Sequence, residues 1–224
     1  MALLGAVFLA FAPITPAWAQ PRAESSAARF SVAVQEITTP SGLRAWLVSN
    51  DTVPMIVMHA YWSGGSAIEP ESMPGVTGVM TDMLTEGAGA LDSAAFKERI
   101  EDLNIGLSFS AGWDGVGMSL TTLSENRDAA FDLARMALTS PRFDTAPLER
   151  IRRQLLVGLR TRETNPSYLG YLALDQALYP GHPYARRATR EGVLAIDRRA
   201  LAARRDALLN RATLRITIVG DIDR

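Results

Sequence analysis

Hydrophobic and polar positions alternate from residue 30 onward: Phe30, Val32 and Val34 stand against Ser31, Ala33 and Gln35, the two-residue period of a strand with one buried face. The cluster Thr39-Pro40-Ser41-Gly42 marks a turn. Leu43–Val48 and Val53–Trp62 predict two further strands joined at Asn50-Asp51, so the chain is expected to open as a β-meander. Gly64-Gly65-Ser66 ends it, and a loop with Pro70 and Pro74 leads into a helix from Gly75 to Glu86. The pattern then lengthens to the helical period. Phe96, Ile100 and Leu103 share a face of a helix over 93–103, capped by Asp92 or Ser93. Leu107–Trp113 and Val116–Leu123 predict a hairpin around Asp114-Gly115, followed by a helix from Ser124 to Leu138. Thr145-Ala146-Pro147 opens a long helix to Glu163 with Ile151, Leu155 and Leu159 spaced by four, and Asn165-Pro166 breaks it. Helices over 168–178 and 197–209 and a strand over 214–219 complete the series.

This order lacks the strict strand–helix alternation of a parallel sheet. It predicts an α+β fold, an antiparallel or mixed sheet with helices packed on one face, as a single domain over residues 29–224. A composition of 47% hydrophobic and 21% charged residues suffices for a substantial core. Twenty-three basic residues balance 24 acidic ones with no basic stripe, which argues against nucleic acid as a partner. The arginines of the later helices (Arg150, Arg152, Arg153, Arg160, Arg162, Arg198, Arg199, Arg204 and Arg205) are expected on solvated faces, or on a charged partner surface.

The first residues follow another logic. Leu3–Phe11 is apolar and uncharged, and Ala17-Trp18-Ala19 precedes Gln20, the pattern of a secretory signal peptide cleaved after residue 19, although its positive n-region is missing. The run is too short and proline-broken for a stable membrane span. Residues 20–28 then form a polar, disordered mature N-terminus, and the protein is expected to be exported, periplasmic or secreted.

Candidate chemistry is sparse. The absence of cysteine removes disulfides, thiolate metal sites and a thiol nucleophile. His59 in a strand and His182 in the turn Tyr179-Pro180-Gly181-His182-Pro183-Tyr184 are the two histidines, the first read as a packed strand residue and the second as a structural corner. No Gly-x-Ser-x-Gly elbow is present, and Gly106–Gly117 reads as a hairpin, not a phosphate loop. On the helix after Gly75, Gly78 and Asp82 share a face, with Thr81 beside them.

Taken in order, a series of segments resembles the insulinase (pitrilysin, M16) family of zinc peptidases, the group that includes mitochondrial processing peptidase. Thr39-Pro40-Ser41-Gly42-Leu43 is similar to the family's opening strand pair, and Gly64-Gly65-Ser66 with Glu69-Pro70 to the segment before its zinc helix. Gly75-Val76-Thr77 and Met83-Leu84-Thr85-Glu86-Gly87 bracket the position of its His-x-x-Glu-His. Glu125-Asn126, Pro141-Arg142-Phe143, Glu149-Arg150, Asn165-Pro166, His182-Pro183-Tyr184 and Val219-Gly220-Asp221-Ile222-Asp223 continue the match.

The resemblance implies a LuxS/M16 metallohydrolase-like fold, and a chain that is the first of two such domains in the complete protein. It also implies lost catalysis. The zinc histidine positions fall on Gly78 and Asp82, the water-activating glutamate on Thr81, and the remaining ligand on Val157 or Gly158. No catalytic residue, metal site or zinc cofactor is therefore expected. The family adds substrate as a β-strand along a sheet edge, which here corresponds to Leu107, Ser108, Phe109, Ser110 and Ala111, with Ser110 departing from the family's asparagine. The expected function is a non-catalytic subunit that closes a peptide-holding chamber against a zinc-bearing chain with an intact His-x-x-Glu-His, the peptides being held extended. Two alternatives stand beside it: an active hydrolase with a rearranged metal site using Asp82 with His59 or His182, and an envelope peptide-binding scaffold without a peptidase partner.

Overall fold

The computed structural model describes residues 32–40 and 42–223, and residues 33–224 make one compact unit. The leader-like segment 1–19 and the stretch 20–28 lie outside the described residues, as does the start of the strand expected from Phe30.

The elements follow in the order β1 (Gln35–Thr38), β2 (Arg44–Ser49), β3 (Met55–Ser63), α1 (Val76–Met83), α2 (Ser93–Asp102), β4 (Gly106–Ala111), β5 (Gly115–Leu123), α3 (Arg127–Thr139), α4 (Thr145–Glu163), α5 (Pro166–Leu178), α6 (Arg190–Ala195), α7 (Arg198–Leu208) and β6 (Leu214–Gly220). Asp92, Asn165 and Asp197 open α2, α5 and α7 by accepting from the backbone N–H of Ala95, Tyr168 and Ala200. The short helix α6, capped by Thr189, has no counterpart in the hydrophobic pattern, because one and a half turns are too few to show a period.

The strands form one six-stranded mixed sheet in the order β1-β2-β6-β3-β5-β4. β2 pairs in parallel with β6, from Ala45 opposite Ile216 to Ser49 opposite Gly220, and the other ladders are antiparallel. This corrects the expected opening meander. The last strand inserts between β2 and β3, so of the three opening strands β1 and β2 pair directly as a hairpin and β2 and β3 do not. Gly220 allows the insertion to end tightly: its φ is +136°, and a Cβ there would stand 2.0 Å from the Met55 carbonyl oxygen.

One face of the sheet carries the core. Leu47, Ile56, Ala60, Trp62, Met118 and Leu120 are buried, while Trp46, Tyr61 and Val219 on the opposite face are exposed. Against the buried face pack Val79, Met80 and Met83 of α1, Phe96 of α2, Leu133 and Ala137 of α3, and Leu201 and Leu208 of α7. Each large side chain so enclosed contributes about 1.5–3 kcal/mol relative to an exposed position.

The placement of α1 is set by polar contacts. Glu69 is buried and accepts from the N–H groups of Gly75 and Thr77, both at 2.7 Å, a carboxylate on the helix N-terminus. Arg204 of α7, 7% exposed, donates to Thr77 Oγ1 at 3.0 Å and to the carbonyl oxygens of Ile68 and Gly65 at 3.0 and 2.7 Å. Its burial lowers its pKa, against the opposing pull of Glu69. The expectation of a solvated Arg204 is thus corrected. Helical periodicity places a side chain on a face, but only the carbonyls converging from another segment make a buried guanidinium affordable.

Candidate functional site

α1 lies against β4 and α4, and where the three meet the surface opens into a cleft of about 310 Å³. Thr81, Asp82, Thr85 and Glu86 form one wall, Leu107, Ser108 and Phe109 of β4 another, and Arg150, Ile151 and Gln154 of α4 the third. Thr81 and Asp82 are thereby brought together with three of the five residues expected to meet a peptide. Ser110 and Ala111 continue β4 beyond the cleft, and neither Gly78 nor the pair Val157 and Gly158 contributes to its lining.

The charges of the cleft divide into a closed network and a free group. Glu86 accepts from Lys97 Nζ at 2.7 Å on one oxygen, and its other oxygen meets Ser93 Oγ and Arg150, both at 2.6 Å. Burial alone would raise the pKa of Glu86, but the hydrogen bonds from Arg150, Lys97 and Ser93 outweigh it and hold the pKa below the ordinary value. Asp82 has no hydrogen bond or ion pair among the described residues. Its side chain reaches solvent, yet partial removal from water in the cleft, and then repulsion from Glu86, raises its pKa. Arg150 was expected on a solvated face; the structure turns it onto Glu86. Sequence offered a faint signal here, since Arg150 and Gln154 lie four apart beside Ile151, but the same spacing suits any amphipathic helix.

These groups do not fit zinc. Gly78 offers no donor, Thr81 donates its hydroxyl to the Gly78 carbonyl at 2.8 Å, and both Glu86 oxygens are already taken by cations and a hydroxyl. The imidazoles lie elsewhere. His59 is exposed in the middle of β3, opposite Ser119 and Thr217. His182 accepts from the Tyr184 N–H at 3.2 Å and packs edge-on against the Tyr184 ring. Among the described residues no three His, Asp or Glu side chains converge.

β4 is the last strand of the sheet and pairs with β5 alone among the described residues, leaving its outer edge open. The turn at its end is held firmly. Trp113 stacks on Tyr184 with centroids 4.8 Å apart, and the Tyr184 hydroxyl donates to Asp114 at 2.7 Å. Arg187 lies over the Trp113 ring while pairing with Asp175 of α5. On the other side, Gly65 meets the turn so closely that a Cβ would stand 2.2 Å from the Gly112 carbonyl oxygen.

No family model matches the sequence. Over 149 residues, 66% of this chain, it is 28% identical to the non-peptidase homolog YmxG of Helicobacter pylori, 34% of whose length is covered. The crystal structure of a peptidase M16 inactive domain from Pseudomonas fluorescens aligns with a TM-score of 0.79 at 28% identity, over 85% of this chain and 47% of that one. The periplasmic protease PqqL from Escherichia coli aligns with a TM-score of 0.74 over 85% of this chain and 22% of its own, and at 13% identity the likeness is one of fold. The chain therefore spans about a third of the curated relative and about half of the inactive-domain chain.

Proposed function

We propose that this chain, an M16 peptidase-like domain of the inactive kind, serves as a non-catalytic, exported subunit that holds extended peptides within a chamber completed by a zinc-bearing M16 chain. The observation that carries this reading is the cleft beside β4. Its lining by β4, with Glu86 already engaged by Lys97, Arg150 and Ser93, supports peptide holding over zinc chemistry. The open edge of β4 offers backbone N–H and C=O groups for strand addition, which needs no metal. Likeness to a protein described as a non-peptidase homolog points the same way. Export is supported by the leader-like pattern ending at Ala17-Trp18-Ala19, and by a periplasmic relative in fold. No helix of the described residues is long and apolar enough to cross a membrane.

A packed partner is supported by α5. None of its residues is buried, and Leu169, Tyr171, Leu174 and Leu178 are all exposed. The purified chain, assayed for zinc by elemental analysis and for cleavage of unfolded peptides, should hold no stoichiometric metal and cut nothing alone. Mixed with an M16 chain bearing His-x-x-Glu-His, it should co-elute and change that chain's peptide turnover. Stoichiometric zinc, or cleavage by this chain by itself, would overturn the proposal.

A further inference from the structure

The helix α5 differs from the other helices in what holds it. It packs against α4 and against the single helical turn Pro183–Ala185, yet none of its 13 residues is buried, and Gly170 weakens its interior. A helix of this length without a buried face is marginal by itself, because most helical stability comes from packing such a face. Order in α5 therefore depends on a few fixed points. At its start Arg162 lies 5.5 Å over the Tyr168 ring. Near its end Asp175 pairs with Arg187, the two side chains being 22% and 26% exposed, so water screens them less than a surface pair.

Arg187 carries that contact onward to the turn at the end of β4. Its other terminal nitrogen donates to the carbonyl oxygens of Tyr184 at 2.6 Å and Arg186 at 2.9 Å, and its guanidinium lies 6.0 Å over the Trp113 ring. Trp113 stacks on Tyr184, Tyr179 meets the Tyr184 ring edge-on at 5.5 Å, and the Tyr184 hydroxyl donates to the Asp114 carboxylate. The carbonyls of Gly112, Trp113 and Asp114 accept in turn from the N–H groups of Ser66, Ala67 and Gly64 at 2.9, 3.0 and 2.7 Å. A continuous path of packed rings and polar contacts thus runs from Asp175 in α5 to the backbone that fixes the end of β4. When α5 frays, Asp175 withdraws, Arg187 loses its countercharge, and the rings beneath it lose their clamp.

We infer that the helical order of α5 governs how firmly the peptide edge β4 is held, so that a partner docking on α5 strengthens peptide binding at β4. The coupling is one of order: whichever ligand fixes the path first leaves less freedom for the other to remove. The inference rests on the reading of β4 as a peptide-holding edge and α5 as a partner face, and the experiment reads the path with and without a ligand. Gly170 and Ala173 are exposed, and a Cβ at Gly170 would meet nothing within 4 Å. Gly170→Ala and Ala173→Gly therefore raise and lower the stability of α5 without touching the path. Amide hydrogen exchange of the full chain, followed by NMR, reads the N–H groups of Gly64, Ser66, Ala67 and Gly112 that hold the turn. They should exchange about fivefold more slowly in Gly170→Ala and about fivefold faster in Ala173→Gly. A nine-residue β-forming peptide, followed by fluorescence anisotropy, should bind more tightly to the first variant than to the second. With Arg187→Gln added, both differences should disappear.

Exchange at the turn that ignores both substitutions, or that follows them equally with Arg187→Gln present, would overturn the coupling while leaving the strand edge standing. Peptide binding of equal strength in the two variants would overturn it as well. If exchange responds but no peptide binds any variant, the strand-edge reading fails, and the peptide half of the inference falls with it.

Discussion

At the residue scale, Gly78 in α1 and the two carboxylates of the cleft, Glu86 and Asp82, each have a measurable consequence. Gly78 sits inside α1, and a Cβ there would meet nothing within 4 Å. Gly78→Ala should therefore stabilise the protein by about 1 kcal/mol through helix propensity alone, seen as a raised denaturant midpoint at unchanged slope. Glu86 titrates in the opposite sense to its neighbour Asp82. With its folded pKa below the ordinary glutamate value of 4.5, its contribution is fully present above 4.5 and is lost as the pH falls through the lower folded value. Glu86→Gln should cost about 2 kcal/mol at pH 7, because Lys97 and Arg150 are half exposed and can relax into water, and that difference should vanish in acid urea titrations. Asp82 has a folded pKa above the ordinary aspartate value of 3.8, so its ionised form costs stability once the pH has risen through the folded value. Asp82→Asn should accordingly be no less stable than the parent at pH 7.

At the element scale, the packing of α5 differs from that of the other helices. It is tied down at its margins, by the Asp175–Arg187 pair and by Arg162 lying 5.5 Å over the Tyr168 ring, and it buries no residue of its own. Tyr171, 69% exposed, Leu174 and Leu178 fall on one stripe of the helix. Tyr171→Glu together with Leu178→Glu should leave the melting temperature of the isolated chain within about 2 °C of the parent, since surface substitutions rarely exceed ±0.5 kcal/mol. The same pair should abolish co-elution with a zinc-bearing M16 chain in size-exclusion chromatography. The boundaries of most elements were legible, because Asp92, Asn165-Pro166 and Asp197 announce helix starts by local chemistry. The long helix expected from Gly75 to Glu86 stops at Met83, since the chain after it bends to aim Glu86 at Lys97 and Arg150.

At the scale of the whole molecule, the topology makes the end of the sheet interdependent with its beginning. β6 lies between β2 and β3, pairing with one in parallel and the other in antiparallel fashion. Removing residues 212–224 would leave two facing strand edges without partners and uncover Leu47, Ile56 and Ala60. Such a chain should show no cooperative thermal transition in circular dichroism and should bind a hydrophobic dye. The joining of distant segments also explains why the cleft exists at all. Its walls come from α1, β4 and α4, three segments brought together by a sheet that is complete only when the last strand is in place.

Much of this protein was decided locally and could be read from the sequence: strand and helix types from their periods, helix starts from their caps, and the α+β class from the order of elements. The resemblance to the M16 family also lay in the order of short segments, and the correspondence of Gly78, Thr81 and Asp82 to its zinc motif is what that resemblance implies. Tertiary structure alone decided which charges are free. The arginine-bearing helices looked alike as solvated stripes, yet Arg204 became the buried link between α7 and the start of α1, Arg150 neutralised Glu86, and Asp82 was left unpaired beside an open strand edge. A residue's charge and helical face follow from its neighbours in sequence. The partner that satisfies or strands that charge comes from segments dozens of residues away, whose approach is fixed only when the sheet closes around β6.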